Sequence, residues 1–245
     1  MRHVYAHITE AARQKKKLFI VLIDPDKYSD EHDIANFATL LKKASPDFVF
    51  IGGSLTIGST AQTIRALKKH CDIPLVLFPG NTLQFTPEAD ALLFLSLISG
   101  RNSDFLIGQH VVVAPAVKQS GIETISTGYI LVESDHATAV EYISNTRPIP
   151  RQKPQLAAAT AIAGELLGNQ LIYLEAGSGA YPPVLPEMIS TVKSSISIPL
   201  IVGGGLRDEK SILTALHAGA DAVVIGNVLE TSPELMLPFA KLVHA

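Results

Sequence analysis

The sequence lacks several features that define other classes of protein. Its 245 residues include one cysteine, Cys71, so an intrachain disulfide is excluded and a reducing compartment is favoured. The formal net charge of −3 at pH 7 gives no basic excess of the kind that binds nucleic acid. Neither a cysteine–histidine cluster of metal-ligand spacing nor a G-x-S-x-G nucleophile motif occurs. These absences argue against a disulfide-stabilised protein, a nucleic-acid partner and a serine hydrolase.

Long apolar runs are also missing. The longest apolar-rich stretch, 91–99, is about half of the roughly 20 residues that a membrane-spanning helix needs. Residues 1–17 contain no uninterrupted apolar core of a secretory signal peptide. We therefore expect a cytoplasmic protein without stable membrane insertion.

The chain does have enough apolar material for a large core, with 47% hydrophobic and 18% charged residues. Short, continuously apolar runs alternate with helical patterns from one end to the other. Continuous apolarity is typical of strands that are buried on both faces, as in a parallel sheet. The runs cover 18–24, 47–53, 74–80, 91–97, 123–133, 170–177, 199–205 and 221–227. The helical patterns include 30–44, 103–119, 155–167 and 208–218.

This alternation predicts an α/β protein with a TIM (β/α)8 barrel that forms a single domain over 1–245. A doubly wound open sheet is the structural alternative. One connection departs from the pattern, because only about ten residues, 81–90, separate the third and fourth runs. A crossover that includes a helix needs roughly 10–12 residues, and Pro87 interrupts any helix there. We therefore predict that an extended segment replaces the third helix. The missing helix would leave an open flank on the barrel. Either the connection was shortened by drift, without a function, or the flank is a groove for a long apolar ligand.

Glycine-rich turns follow three of the predicted strands. They are 176–180 after the sixth, Gly203–Gly205 after the seventh, and Gly226–Asn227 after the eighth. In these barrels phosphate commonly binds at the loops after strands seven and eight, through backbone N–H groups. A single glycine turn would be explained by a tight turn alone. Three at one end of a barrel predict a phosphate site.

Two oxygen-bearing residues follow the first and second strands. Asp24 ends the first apolar run and Ser54 follows the second, so both are expected at the mouth of the barrel. A carboxylate and a hydroxyl there can bind Mg²⁺ together with substrate phosphate oxygens. The alternative is that Asp24 caps the following turn and Ser54 caps the following helix.

The sixth strand carries Tyr173 and Glu175, which are two residues apart and therefore share a face. An unpaired buried carboxylate is costly, so a structural role for Glu175 is disfavoured. It is a candidate to hydrogen-bond a substrate hydroxyl and to accept its proton. Tyr129 on the fifth strand either adds a hydroxyl or packs in the core.

Six segments together resemble the geranylgeranylglyceryl phosphate synthases and the related bacterial heptaprenylglyceryl phosphate synthases. The segments are LIDPDK, IGGS, PLVLFPGN, YLEAGSGA, VGGGLR and AGADAVVIGN. The resemblance spans essentially the whole chain, and it implies a modified barrel without the third helix. It also implies a homo-oligomer.

The activity that the resemblance implies is prenyl transfer. The 3-hydroxyl of sn-glycerol 1-phosphate displaces diphosphate from a polyprenyl diphosphate, by default the geranylgeranyl compound, with a longer chain also possible. Asp24 and Ser54 would hold the Mg²⁺ cofactor, while Glu175 and Tyr173 would be catalytic. The implied glycerol-phosphate contacts are Tyr173, Leu174, Glu175, Ala176, Gly177, Ser178, Gly179, Gly204, Gly205, Gly226 and Asn227. The prenyl tail would leave through the flank that the missing helix opens.

Two other functions stay open on the residues alone. An aldolase or isomerase of sugar phosphates is one, but an aldolase needs a lysine on a strand for a Schiff base. Lys27 lies just beyond the first strand, and no lysine falls within the later ones. A non-catalytic binder of a phosphate ligand is the other, and it would not need both Asp24 and Glu175.

Overall fold

The computed structural model describes residues 3–28 and 31–245. Eight parallel strands form a closed barrel in which each strand pairs with the next and β8 pairs with β1. The closed order confirms the predicted barrel and excludes the open sheet. The strands are β1 (Leu18–Ile23), β2 (Phe48–Ile51), β3 (Leu75–Leu77), β4 (Ala91–Leu97), β5 (Glu123–Leu131), β6 (Leu171–Glu175), β7 (Leu200–Gly203) and β8 (Ala222–Ile225).

Helices connect most of the strands on the outside of the barrel. In the described part of the chain they are α1 (Val4–Arg13), α2 (Glu31–Ala44), α3 (Thr60–His70), α4 (Gln109–Ser120), α5 (Ala139–Ser144), α6 (Pro154–Leu166), α7 (Pro186–Ser195), α8 (Glu209–His217), α9 (Asn227–Thr231) and α10 (Met236–Val243). The predicted first residue of α2, Asp30, lies outside the described residues. The predicted helix 103–119 is a π-helical turn, Asp104–Gly108, that continues into α4. Within 3–28 and 31–245, no helix is long and apolar enough to cross a bilayer.

The strand side chains alternate between two apolar layers. Inward-facing residues such as Phe50 and Tyr173 form the barrel interior, and α1 closes its lower end with Val4 and Ile8. Outward-facing residues such as Leu174 pack against the surrounding helices. The barrel is therefore filled, and ligands are confined to its mouth.

The connection between β3 and β4 contains no α-helix in residues 78–90, all of which are described. It holds one 3₁₀ turn, Thr82–Gln84, within an otherwise irregular segment, so the predicted loss of the third helix is confirmed. The buried Gln84 side chain ties this segment to the loop after β2. Its Nε2 donates to the Gly53 carbonyl at 2.8 Å, and its Oε1 accepts from the N–H of Gly80 at 3.2 Å.

Candidate active site

A cavity of about 570 Å³ opens at the carboxyl ends of the strands. We call it the polar cavity. It brings together most of the predicted site residues, which come from the loops after five different strands. Those that line it are Asp24, Ser54, Tyr173, Glu175, Ser178, Gly179, Gly204, Gly205, Gly226 and Asn227.

Glu175 lies at the end of β6 with only 6% of its surface exposed. Its Oε1 accepts a hydrogen bond from the N–H of Gly177 at 2.6 Å. Burial raises the pKa of the Glu175 carboxyl to about 7, and the Gly177 hydrogen bond opposes that shift. A carboxyl with this pKa is able to accept a proton near neutral pH.

Tyr173 lies beside Glu175 on the same inward face of β6. Its hydroxyl is buried beside the Glu175 carboxylate, and the interaction between them lowers the pKa of Glu175. The hydroxyl has no partner of good hydrogen-bond geometry among the described protein atoms. A Cβ atom at Gly203 would lie 2.2 Å from the Tyr173 hydroxyl and 3.0 Å from Glu175 Oε2. The two oxygens therefore converge on the end of β7. A buried hydroxyl without a partner is a strong candidate to meet a ligand.

Contacts within the protein require glycine at the two positions after β7. Gly204 has a φ of +78°, and a Cβ atom there would lie 2.2 Å from Glu175 Oε1. Gly205 has a φ of +74°, and its Cβ would lie 2.9 Å from the Ala180 carbonyl oxygen. The sequence pattern favours a bound phosphate over tight turns alone as the reason for these glycines. The structure adds a second cause, because the Glu175 side chain and the loop after β6 occupy the space that a Cβ would need.

Asn227 joins the loop after β8 to the loop after β6. Its Oδ1 accepts from the Ser178 hydroxyl and from the Gly179 N–H, each at 3.0 Å. The N–H of Gly179 is therefore engaged within the protein. Arg207 holds the same loop, since its guanidinium donates to the Ala180 carbonyl at 2.7 Å and lies over the Tyr181 ring at 5.3 Å.

Three predicted contacts do not line the polar cavity. The Leu174 side chain points outward into the layer between strands and helices, and Ala176 is buried in the same layer. The N–H of Ala176 donates to the Gly203 carbonyl at 3.2 Å, and the N–H of Gly177 donates to Glu175. The first bond joins the end of β6 to β7, and the second holds the Glu175 carboxylate. The predicted ligand contact of these residues stays a prediction.

Asp24 and Ser54 lie close together at the mouth of the cavity. Asp24 Oδ1 accepts from the N–H of Asp26 at 3.1 Å, so this residue does cap the turn that follows β1. A Cβ atom at Gly53 would lie 3.3 Å from Asp24 Oδ1, which places Asp24 against the loop that carries Ser54. Ser59 caps α3, so the helix-capping alternative for Ser54 is wrong.

The acidic residues at this rim do not form a complete metal-binding cage. Partial burial raises the pKa of the Asp24 carboxyl, and the same effect raises the pKa of Glu230 nearby. Among the described residues, no group of three or more histidine, cysteine, aspartate and glutamate side chains could hold a metal ion. A cation bound here would share its coordination with a ligand, which is how Mg²⁺ commonly binds phosphate groups.

A second, smaller space of about 100 Å³ adjoins the polar cavity. We call it the apolar groove. It lies between the segment that follows β3 and the start of α4, on the flank left by the missing helix. It shares five residues with the polar cavity: Gly53, Ser54, Phe78, Tyr129 and Val140. Its remaining lining residues are Pro79, Gly80, Leu95, Leu97, Phe105, Gln109, His110, Ile143 and Ser144.

Sequence reasoning missed three charged residues that line the polar cavity: Lys27, Arg207 and Glu230. Lys27 ends the LIDPDK segment and Arg207 ends the VGGGLR segment, so both lie within motifs that carry the resemblance. Glu230 lies on α9, and no pattern in the sequence marks it. Sequence reasoning also missed His110, which lines the apolar groove and packs its ring edge-on against Phe94.

Fold and site together define a (β/α)8-barrel protein whose mouth combines glycine turns, a buried acid and an adjoining apolar groove. The chain belongs to the PcrB family, whose sequence model matches residues 10–243. This membership confirms the resemblance that the six sequence segments carry.

Curated relatives cover nearly the whole chain. It is 48% identical over 243 residues to a geranylgeranylglyceryl phosphate synthase from Chitinophaga pinensis, which covers 99% of this chain and 96% of that protein. It is 42% identical over 219 residues to the synthase of that name from Thermococcus kodakarensis, covering 89% and 86%.

A solved structure is similar in both sequence and fold. It is the crystal structure of (S)-3-O-geranylgeranylglyceryl phosphate synthase from Thermoplasma acidophilum in complex with sn-glycerol-1-phosphate. It has a TM-score of 0.92 and 31% sequence identity, and it covers 100% of this chain and 99% of that chain.

Proposed function

We propose that this protein is a prenyltransferase that joins the 3-hydroxyl of sn-glycerol 1-phosphate to a polyprenyl chain through an ether bond and releases diphosphate. The observation that carries the proposal is the continuity of two unlike spaces. A polar cavity with a buried acid and glycine turns meets an apolar groove at shared residues. Such a site offers a polar space for a small anion and, beside it, an apolar entrance for a prenyl chain.

Glycerol phosphate fits the polar cavity. Gly204, Gly205 and Gly226 line it at the ends of β7 and β8, where barrel enzymes commonly bind phosphate. Arg207 lines the same region and adds a positive charge that sequence reasoning overlooked. The related Thermoplasma acidophilum enzyme was crystallised with sn-glycerol-1-phosphate, which supports this substrate for the present chain.

Glu175 is the group in this cavity suited to accept the proton of the attacking hydroxyl. The carboxylate is held by the Gly177 N–H and lies beside the Tyr173 hydroxyl. Tyr173 then donates a hydrogen bond to a glycerol oxygen and helps to fix its direction of attack. Fixed orientation of the reacting groups supplies a large share of the rate enhancement in reactions of this type.

Asp24 and Ser54 would hold Mg²⁺ together with the diphosphate of the prenyl substrate. A carboxylate and a hydroxyl are hard oxygen ligands that suit this ion. The chemistry that Mg²⁺ supplies when bound is neutralisation of the charge on the leaving diphosphate. Lys27, at the same rim, adds a further positive charge toward that group.

The names of the relatives favour a geranylgeranyl donor, and a longer prenyl chain is the alternative. Cytoplasmic location and a homo-oligomeric assembly are part of the proposal. The location rests on the single cysteine and the lack of a signal-peptide core, and the assembly rests on the family resemblance. Size-exclusion chromatography with light scattering tests the assembly, since a monomer at micromolar concentration would contradict it.

The alternative functions fit the structure less well. A Schiff-base aldolase is disfavoured because none of the eight strands carries a lysine. A non-catalytic binder would have no use for a buried carboxyl beside an unpartnered hydroxyl, both of which cost stability.

The test is a turnover assay with Mg²⁺, labelled sn-glycerol 1-phosphate and prenyl diphosphates of ten to about 35 carbons. We expect a labelled product that extracts into organic solvent, together with release of diphosphate. The product should disappear on chelation of the metal. Binding of glycerol phosphate without product from any donor would support the binder and overturn the transferase.

A further inference from the structure

Three aromatic rings form one contact cluster at the junction of the two spaces. The ring centroids of Phe78 and Tyr173 lie 5.1 Å apart, those of Tyr129 and Tyr173 lie 5.5 Å apart, and those of Phe78 and Tyr129 lie 6.1 Å apart. Phe78 also stacks on Phe50 of β2 at 5.9 Å. We call Phe78, Tyr129 and Tyr173 the aromatic junction.

The position of these rings between the two spaces indicates a function more clearly than their contacts with one another do. Phe78 and Tyr129 line both the polar cavity and the apolar groove, whereas Tyr173 lines the polar cavity alone. A molecule with its charged end in the cavity and its apolar tail in the groove must pass these two rings. The carbon that joins the head to the tail would lie next to them.

The cluster is closely packed. Tyr129 and Tyr173 are buried, with 8% and 0% of their surfaces exposed, while Phe78, which lines both spaces, is partly exposed. The N–H of Phe78 donates to the Ile51 carbonyl at 2.9 Å, and its backbone packs so closely on Gly52 that a Cβ atom there would lie 1.9 Å from the Phe78 carbonyl oxygen. Rings packed in this way need little reorganisation during a reaction.

Resting on the proposed function, we propose that the aromatic junction stabilises the positive charge that develops on the allylic carbons of the prenyl substrate. Aromatic faces attract cations through the ring quadrupole, and this attraction is stronger where water is excluded. Phe78 and Tyr129 are thus catalytic residues of the transfer, and Tyr173 supports both rings while it directs its hydroxyl toward the glycerol.

The step balances within the two substrates and Glu175. The bond between the allylic carbon and the diphosphate oxygen breaks, and its electron pair leaves with the diphosphate. The allylic carbons carry the resulting positive charge next to Phe78 and Tyr129. The glycerol 3-oxygen then forms the new bond to the same carbon, and its proton passes to the Glu175 carboxylate.

The test replaces Phe78 with phenylalanines that carry one, two and three fluorine atoms on the ring. Fluorine leaves the ring shape nearly unchanged and removes π-electron density stepwise, so a packing role would not respond. We expect the single-turnover rate at saturating substrate to fall with each fluorine, on the order of tenfold across the series. The KM for prenyl diphosphate should change much less.

The matched control is the same series at Phe37, which packs against Tyr28 outside the barrel at 4.9 Å and lines neither space. We expect no trend there. A rate that is flat across the Phe78 series, in an enzyme that forms the ether product, would overturn the charge-stabilising role and leave the proposed function intact. An unmodified protein that forms no product would overturn the proposed function itself.

Discussion

At the scale of single residues, the chemistry depends most on the Glu175 carboxyl. Replacement by glutamine keeps the size of the side chain and removes its ability to accept a proton. We expect Glu175→Gln to lower kcat by about 100-fold or more. Because burial raises the pKa of Glu175 to about 7, the wild-type rate should rise with pH through that value and then level off.

The measurement is the pH–rate profile of both proteins with sn-glycerol 1-phosphate and geranylgeranyl diphosphate. The variant should lack the rise near pH 7. A variant with wild-type kcat, or with the same pH dependence, would remove Glu175 from the reaction.

The same carboxyl makes a prediction about stability. Its pKa is about 7 in the folded protein against 4.5 for the ordinary group, so the folded state binds more protons between these values. The free energy of unfolding therefore falls as the pH rises from about 4.5 to 7, by on the order of 3 kcal/mol. Glutamine resembles the protonated acid and avoids this loss.

We therefore expect Glu175→Gln to have a higher Tm than the wild type at pH 8 and a similar Tm at pH 5. Thermal unfolding at both pH values measures the difference. A variant less stable than the wild type at pH 8 would show that the ionised carboxylate contributes favourably to the fold.

Asp24 makes a separate prediction about the metal. Asp24→Asn removes the carboxylate that lies beside Gly53, next to Ser54, and the Mg²⁺ concentration for half-maximal rate should rise at least tenfold. Asp26→Asn is the matched control, because the Asp26 carboxylate accepts N–H groups of Ile57 and Gly58 at 2.9 Å and 2.6 Å instead.

Initial rates across a range of Mg²⁺ concentrations distinguish the two variants. Asp26→Asn should keep the wild-type dependence of rate on Mg²⁺ concentration even if its Tm is lower. An unchanged curve for Asp24→Asn would place the metal elsewhere.

At the scale of elements, the loop after β7 joins the proposed phosphate site to the Glu175 carboxyl. An alanine at position 204 would have to adopt a φ near +78° and place its Cβ 2.2 Å from Glu175 Oε1. We expect Gly204→Ala to lower Tm and to weaken binding of sn-glycerol 1-phosphate at least tenfold. Gly168→Ala is the matched control, since its φ is +93° and nothing lies within 4 Å of the added atom.

Calorimetric titration with sn-glycerol 1-phosphate and thermal unfolding separate backbone strain from damage to the site. The control should lose about 1–2 kcal/mol of stability through strain and keep its affinity. Equal affinity in both variants would mean that the phosphate does not bind at this loop.

Much of this architecture could be predicted because strand ends, glycine turns and a short proline-containing connection leave clear patterns. The missing helix followed from the length of 81–90 and from Pro87. It was harder to predict from the sequence which side chains face a cavity. Leu174 and Glu175 are neighbours in the chain, yet the alternation of the strand sends one outward and buries the other at the mouth.

Contacts between residues far apart in the sequence could not be predicted, because local residue patterns do not specify them. Nothing local to Gly204 shows that Glu175 fills the space of its missing Cβ, because 29 positions of chain separate them. Glu230 and His110 reach the two spaces through the turns of α9 and α4, which a residue pattern does not specify. The apolar groove depends on where the segment after β3 packs, and the buried Gln84 determines that position.

At the scale of the whole molecule, the central claim is that a polar cavity and an apolar groove form one site for two substrates. Its most direct test is a crystal structure of the protein with sn-glycerol 1-phosphate and a geranylgeranyl analogue whose diphosphate cannot leave. We predict the glycerol phosphate beside Gly204 and Glu175, the diphosphate near Asp24, and the prenyl tail running past Phe78 into the groove. A tail that left the barrel by any other path, with the groove unchanged, would contradict the account.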